Sequence, residues 1–229
     1  MAQPLGLHQE MLLLTLHDQK GTPHWGTMYA YSLGGAILAE LALQDRIVLK
    51  EVKKKKMVHA KPGPVNDEVL DHCLRELVKS KPRSLEEWIG RLAYMDLKKS
   101  IAERLCTLGI LEKERAKVFF FFERTVYPEL NPKPEQLLME RLRRAIFSDD
   151  ADLPPRDVII TALAKGSGLL ERVFDKKELA GRKARIDQMI ELQPVASSAR
   201  EAIAAAETTA LMVAVIIPSM MTTTIINTT

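Results

Sequence analysis

With 229 residues, 46% of them apolar and 28% charged, the chain has the composition of an ordinary soluble globular protein and enough length to bury one sizeable core. A balance of 33 basic against 30 acidic residues leaves a net charge of +3, too even to imply nucleic acid or a membrane except through local clustering. The two cysteines, Cys73 and Cys106, sit inside helical patterns and read as buried reduced thiols, which fits a cytosolic compartment.

Helix formers are abundant and aromatics are only 5% of the chain, so a mainly α fold is expected. The economical organisation is a single compact helical domain over residues 1–229 with two or more small β-hairpins. Residues 7–16 read as a short amphipathic helix stopped by the turn His17-Asp18-Gln19-Lys20-Gly21. The next helix carries Met28, Leu33, Ile37 and Leu41 at helical spacing among the small residues Ala30, Gly34, Gly35 and Ala36. A helix this apolar is expected to be buried on most sides. It runs into a hairpin: Ile47, Val48, Leu49 and Val52, then the basic run Lys53, Lys54, Lys55 and Lys56, then Met57 and Val58.

Pro62-Gly63-Pro64 breaks the chain, and Asn66 is the expected N-cap of a helix with the face Leu70, Cys73, Leu74, Leu77 and Val78. Ser84 and Glu87 form a capping-box signature ahead of Trp88, Ile89 and Leu92. The series Tyr94, Leu97, Ile101, Leu105 and Leu108 predicts the following helix, ended by Gly109. A second hairpin is expected from Ile110-Leu111 and residues 118–122, with the charged residues 112–117 at its tip. After the prolines 128, 132 and 134, helices are expected around Leu138 and Leu142, from 158 to 163, from 169 to 174, and around Ile186 and Met189. Residues 202–217 are the longest apolar stretch. Glu207, Thr208 and Thr209 interrupt it and Pro218 ends it, short of the ~20 residues a membrane span needs, so a core helix is expected there and a loosely ordered tail over 218–229. The apolar run at residues 11–14 is too short for a secretory signal.

No Walker loop, GxGxxG or GxSxG is present. Gly166-Ser167-Gly168 reads as a helix break. No histidine or cysteine falls at metal spacing, and Asp149, Asp150 and Asp152 read as an acidic solvated loop. The expectation is a protein without catalytic residues, metal or cofactor. The lysine run is the one local charge concentration: between Arg46 and Lys61 the only acidic residue is Glu51. Such a cluster can rest on an anionic bilayer or grip phosphates. No aromatic residue interleaves with it, which argues against single-stranded nucleic acid.

The order Met11-Leu12-Leu13-Leu14-Thr15-Leu16-His17-Asp18 with Gly21, then Trp25, then Leu38-Ala39-Glu40-Leu41-Ala42-Leu43 running into Arg46-Ile47, resembles the Golgi phosphoprotein 3 family. The resemblance continues through Trp88-Ile89, residues 105–111, residues 118–122, Pro128, residues 156–174 and the Ala-rich last helix. It implies a non-enzymatic adaptor, cytoplasmic and peripheral on the cytosolic face of the Golgi. Such an adaptor binds phosphatidylinositol 4-phosphate and serves vesicle trafficking by linking glycosyltransferase tails to coats. It further implies a lipid pocket walled by a tryptophan, matched by Trp25, with three basic side chains. Those three positions fall here on Gly34, Met95 and Lys98, with Lys99 adjacent. The hairpin at 110–123 is implied to serve membrane contact and self-association. From the residues alone the expectation is contact with anionic lipid through Lys53, Lys54, Lys55 and Lys56. The alternative is a soluble protein–protein interaction module whose basic hairpin binds an acidic partner.

Overall fold

The computed structural model describes residues 4–24, 28–118, 122–150 and 152–191, with the side chains of residues 118, 122 and 191 left aside. Trp25, the phenylalanines at 119–121, the Ala-rich C-terminal helix and the 218–229 tail therefore lie outside the described residues.

Among the described residues, nine helices and two small antiparallel sheets follow one another, the helices largely where the apolar spacing predicts them. Helix α1 (Leu7–Thr15) is more deeply placed than an amphipathic helix would be, with all of its residues buried, including His8, Gln9 and Glu10. Its polar residues are buried with partners, so polarity on this helix does not mark a solvent face. Helix α2 (Tyr29–Leu43) is buried without a break from Ser32 to Ala42 and packs against α1 and later helices. The turn between α1 and α2 is closed by Gly21, at φ 57°. A Cβ there would fall 2.2 Å from backbone atoms of Tyr127 and Pro128, so only glycine fits.

Strands β1 (Ile47–Val52) and β2 (Lys55–Ala60) pair in register Ile47↔Ala60 to Val52↔Lys55. The two-residue connection is Lys53-Lys54, so Lys55 and Lys56 belong to the strand rather than to the turn. A short strand β3 (Arg83–Ser84), not anticipated from the sequence, pairs with Met57 and Val58. Helix α3 (Glu68–Lys79) is capped by Asp67, whose side chain accepts from the Val69 and Leu70 amides; the cap is one residue later than the expected Asn66. Helix α4 (Leu85–Ala93) is capped by Ser84, which accepts from the Glu87 amide as the capping signature predicts. Helix α5 (Leu97–Thr107) ends at Gly109, in the left-handed region at φ 70°. Tyr94 and Leu108 are exposed and fall outside its buried stripe of Leu97, Ile101 and Leu105.

The second hairpin is displaced from its expected place. Its strands are β4 (Glu114–Val118) and β5 (Phe122–Val126), paired Glu114↔Val126 to Val118↔Phe122. The charged residues expected at the tip thus form a strand, and the connection falls at 119–121. Residues 112–117 contain no Gly, Pro, Asn or Asp to make a turn. An exposed two-stranded ribbon also needs no apolar alternation, and its charges guard the open edges.

Helices α6 (Lys133–Phe147), α7 (Pro155–Gly166), α8 (Leu170–Val173) and α9 (Lys176–Glu191) complete the described fold. One continuous core joins α1 and α2 to the buried faces of α3 to α7. Cys73 lies in it, its thiol pushed up to about 12 mainly by burial; Cys106 is only half-buried. Asp149 and Asp150 are held by Arg182 and Arg144 at 2.9 and 2.6 Å, so arginines occupy this acidic loop.

Candidate functional site

The β1–β2 hairpin carries the basic cluster, but not as four equivalent cations. Lys53, Lys54 and Lys55 are exposed and make no ion pair or side-chain hydrogen bond among the described residues. Lys56 is half-buried and donates to Glu51 Oε2 at 2.9 Å. Lys61 is likewise held by Asp45 at 2.6 Å. Lys50, exposed on β1, is likewise unpaired among the described residues, so the free positive charge runs from β1 into the turn. There the backbone is unusual, with Lys53 and Lys54 at φ 51° and 64°. A turn left-handed at both central residues matches the twist of a hairpin and normally selects Asn-Gly. Placing two side chains in that region costs about 1–2 kcal/mol per residue.

The second predicted feature is the pocket around Lys98. A cavity of about 230 Å³ lies between the start of α2, the end of α4 and the start of α5. Tyr29, Leu33, Leu92, Met95, Asp96 and Lys98 form its principal walls. Met95 and Lys98 thus meet at one cavity, as the sequence places them. Lys98 is half-buried and is its only cation among the described residues, while Asp96 sets a carboxylate on the same wall. Lys99 is exposed and does not line the cavity.

Gly34 is a packing position. A Cβ there would come within 3.1 Å of both the Ile89 carbonyl oxygen and the Leu92 Cβ, so the missing side chain is what lets α2 lie against α4. Trp25 lies outside the described residues, close in sequence to the cavity wall at Tyr29.

A buried ionic network was not anticipated. Arg141 of α6 reaches Glu10 of α1 and Asp157 of α7, each at 2.6 Å. Arg156 of α7 donates to Glu40 of α2 at 2.8 Å and lies 3.8 Å from Glu10. Burial raises the Glu10 carboxyl despite both arginines. For Glu40 the same burial is outweighed, chiefly by Arg156 and the Leu7 amide, and its carboxyl is lowered. The signal in the sequence is a single acid in each of two otherwise apolar helices, since a buried carboxylate requires a partner. The network fixes four helices against one another and shares no residue with the hairpin or the Lys98 cavity.

A family model described as Golgi phosphoprotein 3 matches residues 7–206, which contain the hairpin, the cavity and the ionic network. The chain belongs to the Golgi phosphoprotein 3 family. It is also similar to vacuolar protein sorting-associated protein 74 of Schizosaccharomyces pombe, at 25% identity over 223 aligned residues covering 81% of this chain. The chain spans 66% of that relative's length. The motifs from Met11 to Asp18 and from Leu38 to Leu43 lie within the matched residues. They map onto α1 and α2, the innermost elements of the Golgi phosphoprotein 3 fold seen here. Among the described residues no helix is long and apolar enough to cross a membrane.

Proposed function

We propose that this Golgi phosphoprotein 3 family member is a non-enzymatic adaptor that docks peripherally on anionic membrane from the cytosolic side, leading with the β1–β2 turn. The observation that carries the reading is the unpaired trio Lys53, Lys54 and Lys55, two of them held in left-handed backbone where Asn-Gly would be relaxed. Retained strain of this kind points to use of the side chains rather than of the turn. Each lysine near an anionic surface contributes ~1 kcal/mol, so the trio supplies roughly 3 kcal/mol, screened by salt.

Family membership supports the Golgi membrane as the surface and vesicle trafficking as the setting. Phosphatidylinositol 4-phosphate enters as one anionic lipid among others. The cavity that would select its head group offers Lys98 alone, beside Asp96, with Gly34 and Met95 supplying no charge. The β4–β5 ribbon, whose described side chains are exposed as far as Thr125 apart from half-buried Ala116, supports a protein contact or self-association at 110–123.

Vesicle flotation tests this. Binding is expected to rise with phosphatidylserine content, to fall with salt, and to change little when phosphatidylinositol 4-phosphate replaces an equal charge of phosphatidylserine. Binding to no anionic vesicle would leave the basic turn to an acidic protein partner.

A further inference from the structure

A large cavity lies away from both the basic hairpin and the Lys98 cavity. It encloses about 600 Å³ between the N-terminus of α1, the C-terminal end of α2, the loop at 64–67 and the C-terminal end of α5. That is within the ~300–1,000 Å³ range of small-molecule sites.

Its polar groups are unevenly committed. The two carboxylates on its wall are already satisfied. Glu40 accepts from the Leu7 amide at 2.7 Å, from Arg156 at 2.8 Å and from Gln44 at 3.1 Å. Asp67 accepts from the Val69 and Leu70 amides, both at 3.0 Å, and from Gln9 at 3.3 Å. Arg104, by contrast, makes no ion pair or side-chain hydrogen bond among the described residues, and its Nε is buried without a partner. His8 is 1% exposed, and its Nδ1 has no hydrogen-bond partner. Nε2 faces Asp67 Oδ1 at 3.4 Å, which leaves Nδ1 as the open position of the ring. A buried polar atom without a partner is costly, so these two side chains call for a ligand.

We infer that this cavity is a binding site for a monocarboxylate carried on an aliphatic body, its carboxylate held by Arg104. The guanidinium fork matches a carboxylate bidentately. The choice of monoanion follows from the charge present: one uncommitted cation, with Glu40 and Asp67 on the same wall, disfavours a phosphate dianion. The rest of the wall is largely apolar, with Leu5, Leu70 and Ile110 inside and Leu108 exposed at 44% at its edge. An apolar wall beside one unpaired cation is the complement of an amphiphile.

Isothermal titration calorimetry without vesicles tests the site, using octanoate below its micellar concentration. Saturable binding is expected, with 1-octanol and inorganic phosphate each about tenfold weaker or more, since each lacks half of the match. Arg104→Gln is expected to lose about tenfold or more in octanoate affinity at an unchanged melting temperature, because Arg104 has no protein partner to forfeit. Leu108→Asp, at an exposed position, is expected to weaken octanoate as well. No saturable octanoate binding, equal affinity in Arg104→Gln, or tighter binding of phosphate would each overturn the assignment. The triple change Lys53→Gln, Lys54→Gln, Lys55→Gln is expected to leave octanoate binding intact; if it abolishes binding, the carboxylate sits on the hairpin and not in this cavity.

Discussion

Lys56 Nζ lies 2.9 Å from Glu51 Oε2 across the β1–β2 hairpin, and this one pair resets the charge of the basic run. Lys56 also holds the exposed Glu51 carboxyl below its usual range. The turn therefore presents three free cations and one neutralised pair. Replacing Lys53, Lys54 and Lys55 together by Gln is expected to weaken binding to phosphatidylserine vesicles by roughly a hundredfold, from ~1 kcal/mol per lysine. Glu51→Gln is expected to do the reverse, strengthening binding by about fivefold at low salt, with the gain disappearing as salt is added. Flotation over a salt series reads both; a Glu51→Gln protein that floats no better than wild type would mean the hairpin does not face the lipid.

The left-handed backbone at Lys53 and Lys54 separates stability from binding. Asn-Gly at these positions adopts the same turn without the side-chain conflict. The change Lys53→Asn with Lys54→Gly is expected to stabilise the protein by roughly 1 kcal/mol while lowering affinity for anionic vesicles. A thermal melt and a flotation assay on the same sample check it. If stability and binding fall together, the lysines support the turn and the charge reading loses its ground.

Gly34 faces the Ile89 carbonyl and Leu92 Cβ, each 3.1 Å from where a Cβ would stand. The carbonyl belongs to the α4 backbone, so the helix must move to admit even a methyl. Gly34→Ala is expected to destabilise the protein by about 1–3 kcal/mol, as overpacking does, despite alanine's better helix propensity. An unchanged or higher melting temperature would show that α2 and α4 separate easily, and a cation at this position would then be admissible.

The apolar spacing made the helices legible, and Ser84 with Glu87, Gly109 and the alternation around Val48 and Val58 marked their boundaries well. Three things were not legible, each for a physical reason. Burial of α1 on all sides depends on partners far along the chain, since Glu10 is matched by Arg141. Residues 112–117 looked like a tip because they are charged, yet an exposed ribbon carries charge without penalty. The cavity bordered by His8 and Arg104 joins residues about a hundred positions apart, and no spacing rule connects them. Met95 and Lys98 line one cavity, whereas the pairing of Lys56 with Glu51 required the strand register.

Arg141 bridges Glu10 and Asp157, both nearly buried. Removing it leaves a carboxylate in the core with Arg156 only at 3.8 Å. Arg141→Met is expected to cost roughly 3–5 kcal/mol, the range for breaking one side of a buried pair. Adding Glu10→Leu and Asp157→Asn to Arg141→Met is expected to restore much of that loss, since no uncompensated charge remains. Denaturant melts of the single and triple variants check the pair of outcomes; a single variant as stable as wild type would show that Glu10 is protonated and needs no arginine.

Glu135, on the first turn of α6, shares a cavity of about 320 Å³ with Asp18 and Glu129. Burial, then the charges of Asp18 and Glu129, push its carboxyl up to about 8, and it hydrogen-bonds with Glu129. In the unfolded chain the same carboxyl titrates near ~4.3. Between those two values the folded protein holds a proton that the unfolded chain has released. Stability from this group is therefore fully present below about pH 4 and is lost progressively as pH rises towards 8, the slope having the sign of greater proton binding in the folded state. Glu135→Gln keeps a neutral hydrogen-bonding group at every pH. It is expected to match wild type near pH 5, to melt at a higher temperature than wild type at pH 8, and to flatten the decline between them. Melting temperatures measured at half-unit steps from pH 5 to 8 check this. Parallel curves for the two proteins would show that Glu135 is already ionised in the fold and that the carboxyl cluster with Asp18 and Glu129 is open to water.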